Sequence, residues 1–148
     1  MDDIRKLSLS ILQLNQEFKK AQELRVDMDR ITFETLLLIK AKERIRPSAI
    51  AKEFDLNPSS ITRRLQPLMQ EGLVEVTADP NDLRSSLIHL TNKGDNALTQ
   101  FLERSVEGMT SILADWNEDD IHTIANLLSR LTDTLKDWRH SRMGNDSD

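Results

Sequence analysis

The stretch from Pro47 to Gly94 constrains the fold more than any other part of this chain, because its residue types succeed one another in an order that few architectures accommodate. PSAIAKEF is a short helix, with Ile50, Ala51 and Phe54 available to face a core. Asp55 stands where the following turn needs a left-handed residue, a conformation glycine adopts most readily and aspartate tolerates. Leu56 plugs that turn. Asn57 is a strong N-cap and Pro58 suits the first helical position, so the start of the next helix is well defined. Along PSSITRRLQPLMQ an advance of about 100° per residue gathers Ile61, Leu65 and Leu68 on one side. Ser59, Arg63 and Gln66 fall opposite, with Ser60 and Thr62 flanking.

Gly72 ends that helix, and LVEVTA reads as a strand whose apolar positions are Leu73, Val74 and Val76. Asp79-Pro80-Asn81-Asp82 is a dense turn signal, after which SSLIHL returns as the second strand. Helix, tight turn, helix and hairpin in this order make a winged helix-turn-helix. The expected fold is mainly α with a small β-hairpin wing, flanked by N- and C-terminal helices.

Outside this stretch, Ile4, Leu7, Ile11, Leu14 and Phe18 follow a three-four spacing that predicts a first amphipathic helix from Asp3 to about Leu24. Asp29 caps a second helix, ITFETLLLIKAK, with Phe33, Leu36, Leu37 and Ile39 available for burial; Ile45 then suits a short strand. Thr91 caps a long helix to about Ala114, and Asn117 caps a last one to about Arg139, with Glu118, Asp119 and Asp120 in its first turn. Ile121, Ile124, Leu128, Leu131, Leu135 and Trp138 form a heptad-like stripe on that last helix. Two such terminal helices can pair with each other or with their copies in a second chain, and a helix-turn-helix between them favours a two-fold dimer. The polar tail from Met143 to Asp148 is expected to fray.

Charge is distributed unevenly. The net charge is -5, yet Lys40 to Gln70 holds seven basic residues against three acidic, while Glu103 to Asp148 holds five basic against ten acidic. A basic working surface on an acidic scaffold suits a polyanionic partner. The outward face of the second helix of the motif carries a guanidinium, an amide and hydroxyls, which read donor and acceptor patterns in a major groove. Ser59, Ser60, Thr62, Arg63 and Gln66 are therefore the expected base contacts, Arg63 suiting guanine and Gln66 adenine. Arg64 lies nearer the buried boundary and suits a phosphate, as do Ser48 and Asn57. Arg84 sits near the hairpin tip, where Asp82 is placed to accept hydrogen bonds from it and hold its guanidinium extended toward a narrow minor groove.

On the helix-turn-helix PSAIAKEFDLNPSSITRRLQPLMQEGLVEV, the wing DPNDLRSSLIHLT and the following NKG, the sequence resembles the multiple antibiotic resistance regulator (MarR) family of winged-helix repressors. No single piece is specific, but their order and spacing are. The resemblance implies an obligate homodimer built from the first and last helices, with help from the long helix before the last. It implies major-groove contacts by Ser59, Ser60, Thr62 and Arg63, and a minor-groove contact by Arg84 oriented by Asp82. It further implies repression relieved by a small, often aromatic and acidic, effector bound between the dimer interface and the DNA-binding lobe, although no effector residue carries over by motif. The expected organisation is a single domain over 1–148, with a DNA-binding lobe at 29–91 and dimerisation helices at 1–28 and 92–142.

Two residues depart from the family pattern. Pro67 removes a hydrogen bond to the carbonyl of Arg63, which predicts a kink, and Asp55 replaces the more usual glycine. The absence of cysteine excludes disulfides and sensing by thiol oxidation, and suits a reducing cytoplasm. No signal peptide or membrane span is expected near the N-terminus, and no cofactor or metal, since His89, His122 and His140 lack close ligand spacing. Catalysis is not expected either, because the pairs Asp119 with Asp120 and Asp79 with Asp82 read as a helix first turn and a hairpin tip. The alternative is a winged-helix protein-protein interaction module without operator binding.

Overall fold

The computed structural model describes residues 1–25 and 27–143, so the expected fraying of the tail beyond Met143 concerns residues outside those described. The chain divides into two compact units, Met1–Arg104 and Ser105–Asp148. In order, the elements are α1 (Asp2–Glu23), α2 (Arg30–Lys42), α3 (Pro47–Glu53), α4 (Pro58–Gln70), β1 (Val74–Asp79), β2 (Asp82–Leu90), α5 (Asn92–Ile112) and α6 (Glu118–Met143).

The core lies in the first unit. Leu36 and Ile39 of α2, Ile50 of α3, Ile61 of α4, Ile88 of β2 and Leu98 of α5 are all essentially sealed from solvent. Each such side chain contributes roughly 1.5–3 kcal/mol of burial. Thr35 is sealed as well, which its polarity did not predict; its hydroxyl donates to the carbonyl of Ile31 at 2.7 Å, so nothing polar is left unpaired. Leu37 is exposed, contrary to expectation, because it points about 100° round the helix from Leu36, off the face that Leu36 and Ile39 bury.

The caps form as their chemistry requires. Asp29 accepts from the Thr32 N–H at 2.8 Å, Asn57 from the Ser60 N–H at 2.8 Å and Asn117 from the Asp120 N–H at 2.8 Å. Thr91 accepts from the Gly94 N–H at 3.0 Å and donates its own hydroxyl to the Gly72 carbonyl at 2.5 Å. Lys93 reaches the Glu71 carbonyl at 2.7 Å, so the start of α5 also satisfies the end of α4. Gly94 is obligatory here, since a Cβ would stand 2.0 Å from the Leu73 carbonyl oxygen.

After α2 the backbone reverses at Glu43, with φ 62 and ψ -57, and the Arg44 N–H donates to the Lys42 carbonyl at 2.7 Å. This is a γ-turn in its strained hand. It delivers Ile45 to a bridge with Ile88, where each N–H donates to the other's carbonyl at 3.0 and 2.8 Å. The hairpin pairs Val74 with Leu90 through Ala78 with Ser86, and an irregularity then sets Asp79 against Asp82. The second strand thus begins at Asp82 rather than Ser85, because pairing with β1 carries its ladder to the turn. Val76 is exposed where the alternation made it a core position, although it shares its face of the hairpin with the buried Val74 and with its sealed cross-strand partner Ile88.

Within the first unit, the connection between α1 and α2 is tied to α5. The Arg25 guanidinium grips Asp27 with two bonds of 3.1 and 3.0 Å and lies 3.7 Å above the Phe101 ring, which stacks on Phe33 at 4.7 Å. Arg104 adds a second cation to Asp27 at 3.3 Å. The hydrogen bonds from Arg25 hold the Asp27 carboxyl below the usual carboxylate range, against the opposing effect of burial.

The terminal helices keep their apolar residues uncovered. Every residue of α1 is exposed, Phe18 by 44%. On α6, which ends at Met143 rather than near Arg139, Ile121 is half-buried and the rest of the stripe is open, Trp138 by 55%. No helix among the described residues is long and apolar enough to cross a membrane.

Candidate nucleic-acid interface

Helix α4 is locked on one side and open on the other. Ile61, Leu65 and Leu68 are buried as their spacing requires, which turns Ser59, Thr62, Arg63 and Gln66 to solvent, with Ser60 half-buried. The inter-helix turn that sets its angle forms as anticipated: Asp55 takes φ 53, and the Leu56 N–H donates to the Ala51 carbonyl at 2.8 Å. The helix runs unbroken through Pro67, and the Pro67 carbonyl accepts from the Glu71 N–H at 2.9 Å. Only the Arg63 carbonyl loses its helical donor, one turn back on the open face.

The polar groups on this face are partly committed to one another. Ser59 donates its hydroxyl to Asn57 at 2.7 Å, and Thr62 donates to the Pro58 carbonyl at 3.0 Å, so both oxygens face outward as acceptors. The Asn57 side-chain oxygen accepts from both Ser59 and Ser60, which leaves its amide N–H groups as donors at the head of the helix. Ser48, on the first turn of α3, is exposed. Arg64 is half-buried, with its guanidinium 4.9 Å above the Phe54 ring, and Phe54 is itself only half-buried. Among the described residues the Arg63 guanidinium has neither hydrogen bond nor ion pair.

The wing corrects one expectation. Asp82 accepts from the backbone N–H of Arg84 at 3.1 Å and from the Ser85 hydroxyl at 3.1 Å, not from the Arg84 guanidinium. At a spacing of two residues the short carboxylate meets the nearer main-chain donor, closing an Asx turn. The guanidinium of Arg84 remains exposed and without a partner among the described residues.

An ion pair that the sequence did not reveal joins the wing to the helix-turn-helix. Arg46, the N-cap of α3, pairs with Asp79 at the end of β1 at 2.6 Å, and Asp79 also accepts from the Asn81 N–H at 2.9 Å. That N–H bond, then Arg46, hold the Asp79 carboxyl below the usual carboxylate range. The partners lie 33 residues apart, and no local pattern signals the contact. The carboxylates of Asp79 and Asp120 are thus accounted for structurally, Asp120 accepting from the Asn117 side-chain amide at 2.8 Å.

The MarR family profile matches residues 31–86, from the start of α2 into the wing. The HTH-type transcriptional regulator YdgG of Bacillus subtilis is 27% identical over 105 residues, covering 70% of this chain and 69% of that protein. The HTH-type transcriptional regulator PecS of Dickeya dadantii is 32% identical over 87 residues, covering 59% of this chain and 52% of that one. The chain therefore spans roughly half to two-thirds of the length of these curated relatives. Among solved structures, a cysteine-to-serine mutant of MarR from E. coli is similar with a TM-score of 0.71 and 25% identity, over 85% of this chain and 96% of that one. The same mutant complexed with operator DNA shares the fold at a TM-score of 0.62 and 24% identity, over 87% of this chain and 95% of that one. On its motif order, its fold and this match over residues 31–86, the chain contains a winged helix-turn-helix similar to that of the MarR family.

Proposed function

We propose that this protein is a sequence-specific double-stranded DNA-binding transcriptional regulator, a repressor working in the cytoplasm as a homodimer on a pseudo-palindromic operator. The observation that carries this is the open face of α4: a helix anchored by three buried residues presents an unpartnered Arg63 among outward hydroxyls and an exposed amide. In this reading Ser59, Ser60, Thr62, Arg63 and Gln66 meet base edges, and Ser48, Asn57 and Arg64 meet phosphates. Arg84 enters the minor groove from a turn that Asp82 closes through the backbone. The lobe 29–91 binds DNA, and the helices within 1–28 and 92–142 join two copies, covering the stripes that α1 and α6 leave open. Their two-fold axis sets half-sites about 10 base pairs apart. A small aromatic, acidic effector bound between the dimer interface and the lobe relieves repression, as the family resemblance implies.

Selection of bound fragments from random duplex DNA tests the reading and supplies the operator. An enriched pseudo-palindrome, and an affinity that falls steeply with salt, are expected. Arg63→Ala should relax base discrimination, while Arg84→Ala should weaken binding across sequences alike. No enrichment together with salt-insensitive binding would overturn the proposal in favour of a protein-docking module.

A further inference from the structure

The strands of an isolated two-stranded hairpin do not hold their own position, yet Arg84 must be presented at a defined place relative to α4. Beyond the packing of Val74 and Ile88 in the core, two polar contacts tie the wing to the helix-turn-helix. One is the Ile45–Ile88 bridge at the base of the sheet. The other is the ion pair of Arg46 with Asp79, at the far end of β1 and next to the turn. Arg46 has a backbone fixed on both sides: its carbonyl accepts the first N–H groups of α3, from Ala49 at 3.0 Å and Ile50 at 3.1 Å, and its neighbour Ile45 is bridged to β2. Its side chain spans the gap to a carboxylate that is only 8% exposed.

Both oxygens of that carboxylate are used. Oδ2 takes the guanidinium of Arg46, and Oδ1 takes the Asn81 N–H, which sets the Pro80-Asn81 turn just where the ladder register shifts. Five residues further on stands Arg84.

We propose that Arg46 and Asp79 are positioning residues for DNA binding: they fix the hairpin tip on the helix-turn-helix, and so govern affinity through Arg84 rather than through a contact of their own with DNA. The proposal rests on the DNA-binding reading, and its test separates the two. Arg46→Met keeps the aliphatic stem and removes the charge; Asp79→Asn keeps the acceptor for Asn81 and removes the charge on the other side.

Hydrogen exchange of the free protein should show the amides of Asn81 to Ser85 opening about 10-fold faster in either variant, with the amides of Ile50 and Leu65 unchanged as evidence that the core is intact. On the selected operator, Arg46→Met alone should lose about 10-fold in affinity, and the same change should cost nothing further in an Arg84→Ala background, the signature of coupling through one residue. Unchanged wing exchange would overturn the proposal, whatever the protein binds. Losses that multiply in the double variant would overturn it too, because Arg46 would then be touching DNA itself. If the parent protein enriches no duplex, the DNA-binding reading fails, while the exchange result still decides whether the pair holds the wing.

Discussion

Alanine at Gly94 and alanine at Gly108 are the same substitution in the same helix, and the structure requires them to act in opposite directions. At Gly94 the new methyl would stand 2.0 Å from the Leu73 carbonyl oxygen and 2.9 Å from its carbon, both backbone atoms. That is about 1.3 Å short of the roughly 3.3 Å at which carbon meets a carbonyl oxygen. Relief needs the start of α5 to move away from the end of α4. The movement would pull on the Thr91 N–H bond to Leu73 at 3.1 Å, the Gly94 N–H bond to Thr91 at 3.0 Å and the Thr91 hydroxyl bond to Gly72 at 2.5 Å. Overpacking costs about 1–3 kcal/mol, and each weakened bond up to about 1 kcal/mol. Helix propensity returns about 1 kcal/mol. The net expectation is a loss of about 2–4 kcal/mol.

At Gly108 nothing lies within 4 Å of the added carbon, so only the propensity gain of about 0.5–1 kcal/mol operates. Urea denaturation of both variants and the parent, at one protein concentration, measures the two effects. A Gly94→Ala protein at least as stable as the parent would refute the close approach of α5 to Leu73. A destabilised Gly108→Ala would refute the open space at that face of α5.

Other expectations are as direct. Asp55→Val should cost about 1–2 kcal/mol in the same urea assay, because a β-branched residue cannot easily hold φ 53, whereas Asp55→Gly should be neutral or slightly stabilising. Asp27 and Asp79 both have carboxyls lowered from their ordinary value by their partners. Their stabilising contribution is therefore fully present above the unfolded carboxylate range near about pH 4 and is lost as pH falls through their lower folded values. Thermal melts between about pH 5 and 2 should show that loss, and Asp79→Asn should flatten part of the slope; an unchanged slope would mean that Asp79 is not held ionised by the fold. Leu128→Glu on the open stripe of α6 should leave helix content intact and shift sedimentation toward monomer, and a variant that sediments as the parent does would remove that stripe from the proposed dimer.

What the sequence alone determined was whatever depends on partners within about four residues. Asp29, Asn57, Thr91 and Asn117 cap helices because a short side chain reaches an N–H two or three residues ahead, wherever the helix is later packed. Asp55 marks a left-handed position because sterics at a single residue decide it. The open face of α4 followed from the spacing of Ile61, Leu65 and Leu68, since a helix that buries three residues on one side must expose the opposite side.

The tertiary structure decided what depends on residues far apart in the chain. Gly94 is required by the backbone of Leu73, and Arg25 lies on Phe101, 76 residues away. Arg46 finds Asp79 only once α3 and β1 are packed into one lobe, since long-range charge pairs have no periodicity to reveal them. The open face of α4 could be seen in the sequence; what holds the wing beside it could be seen only in the folded chain.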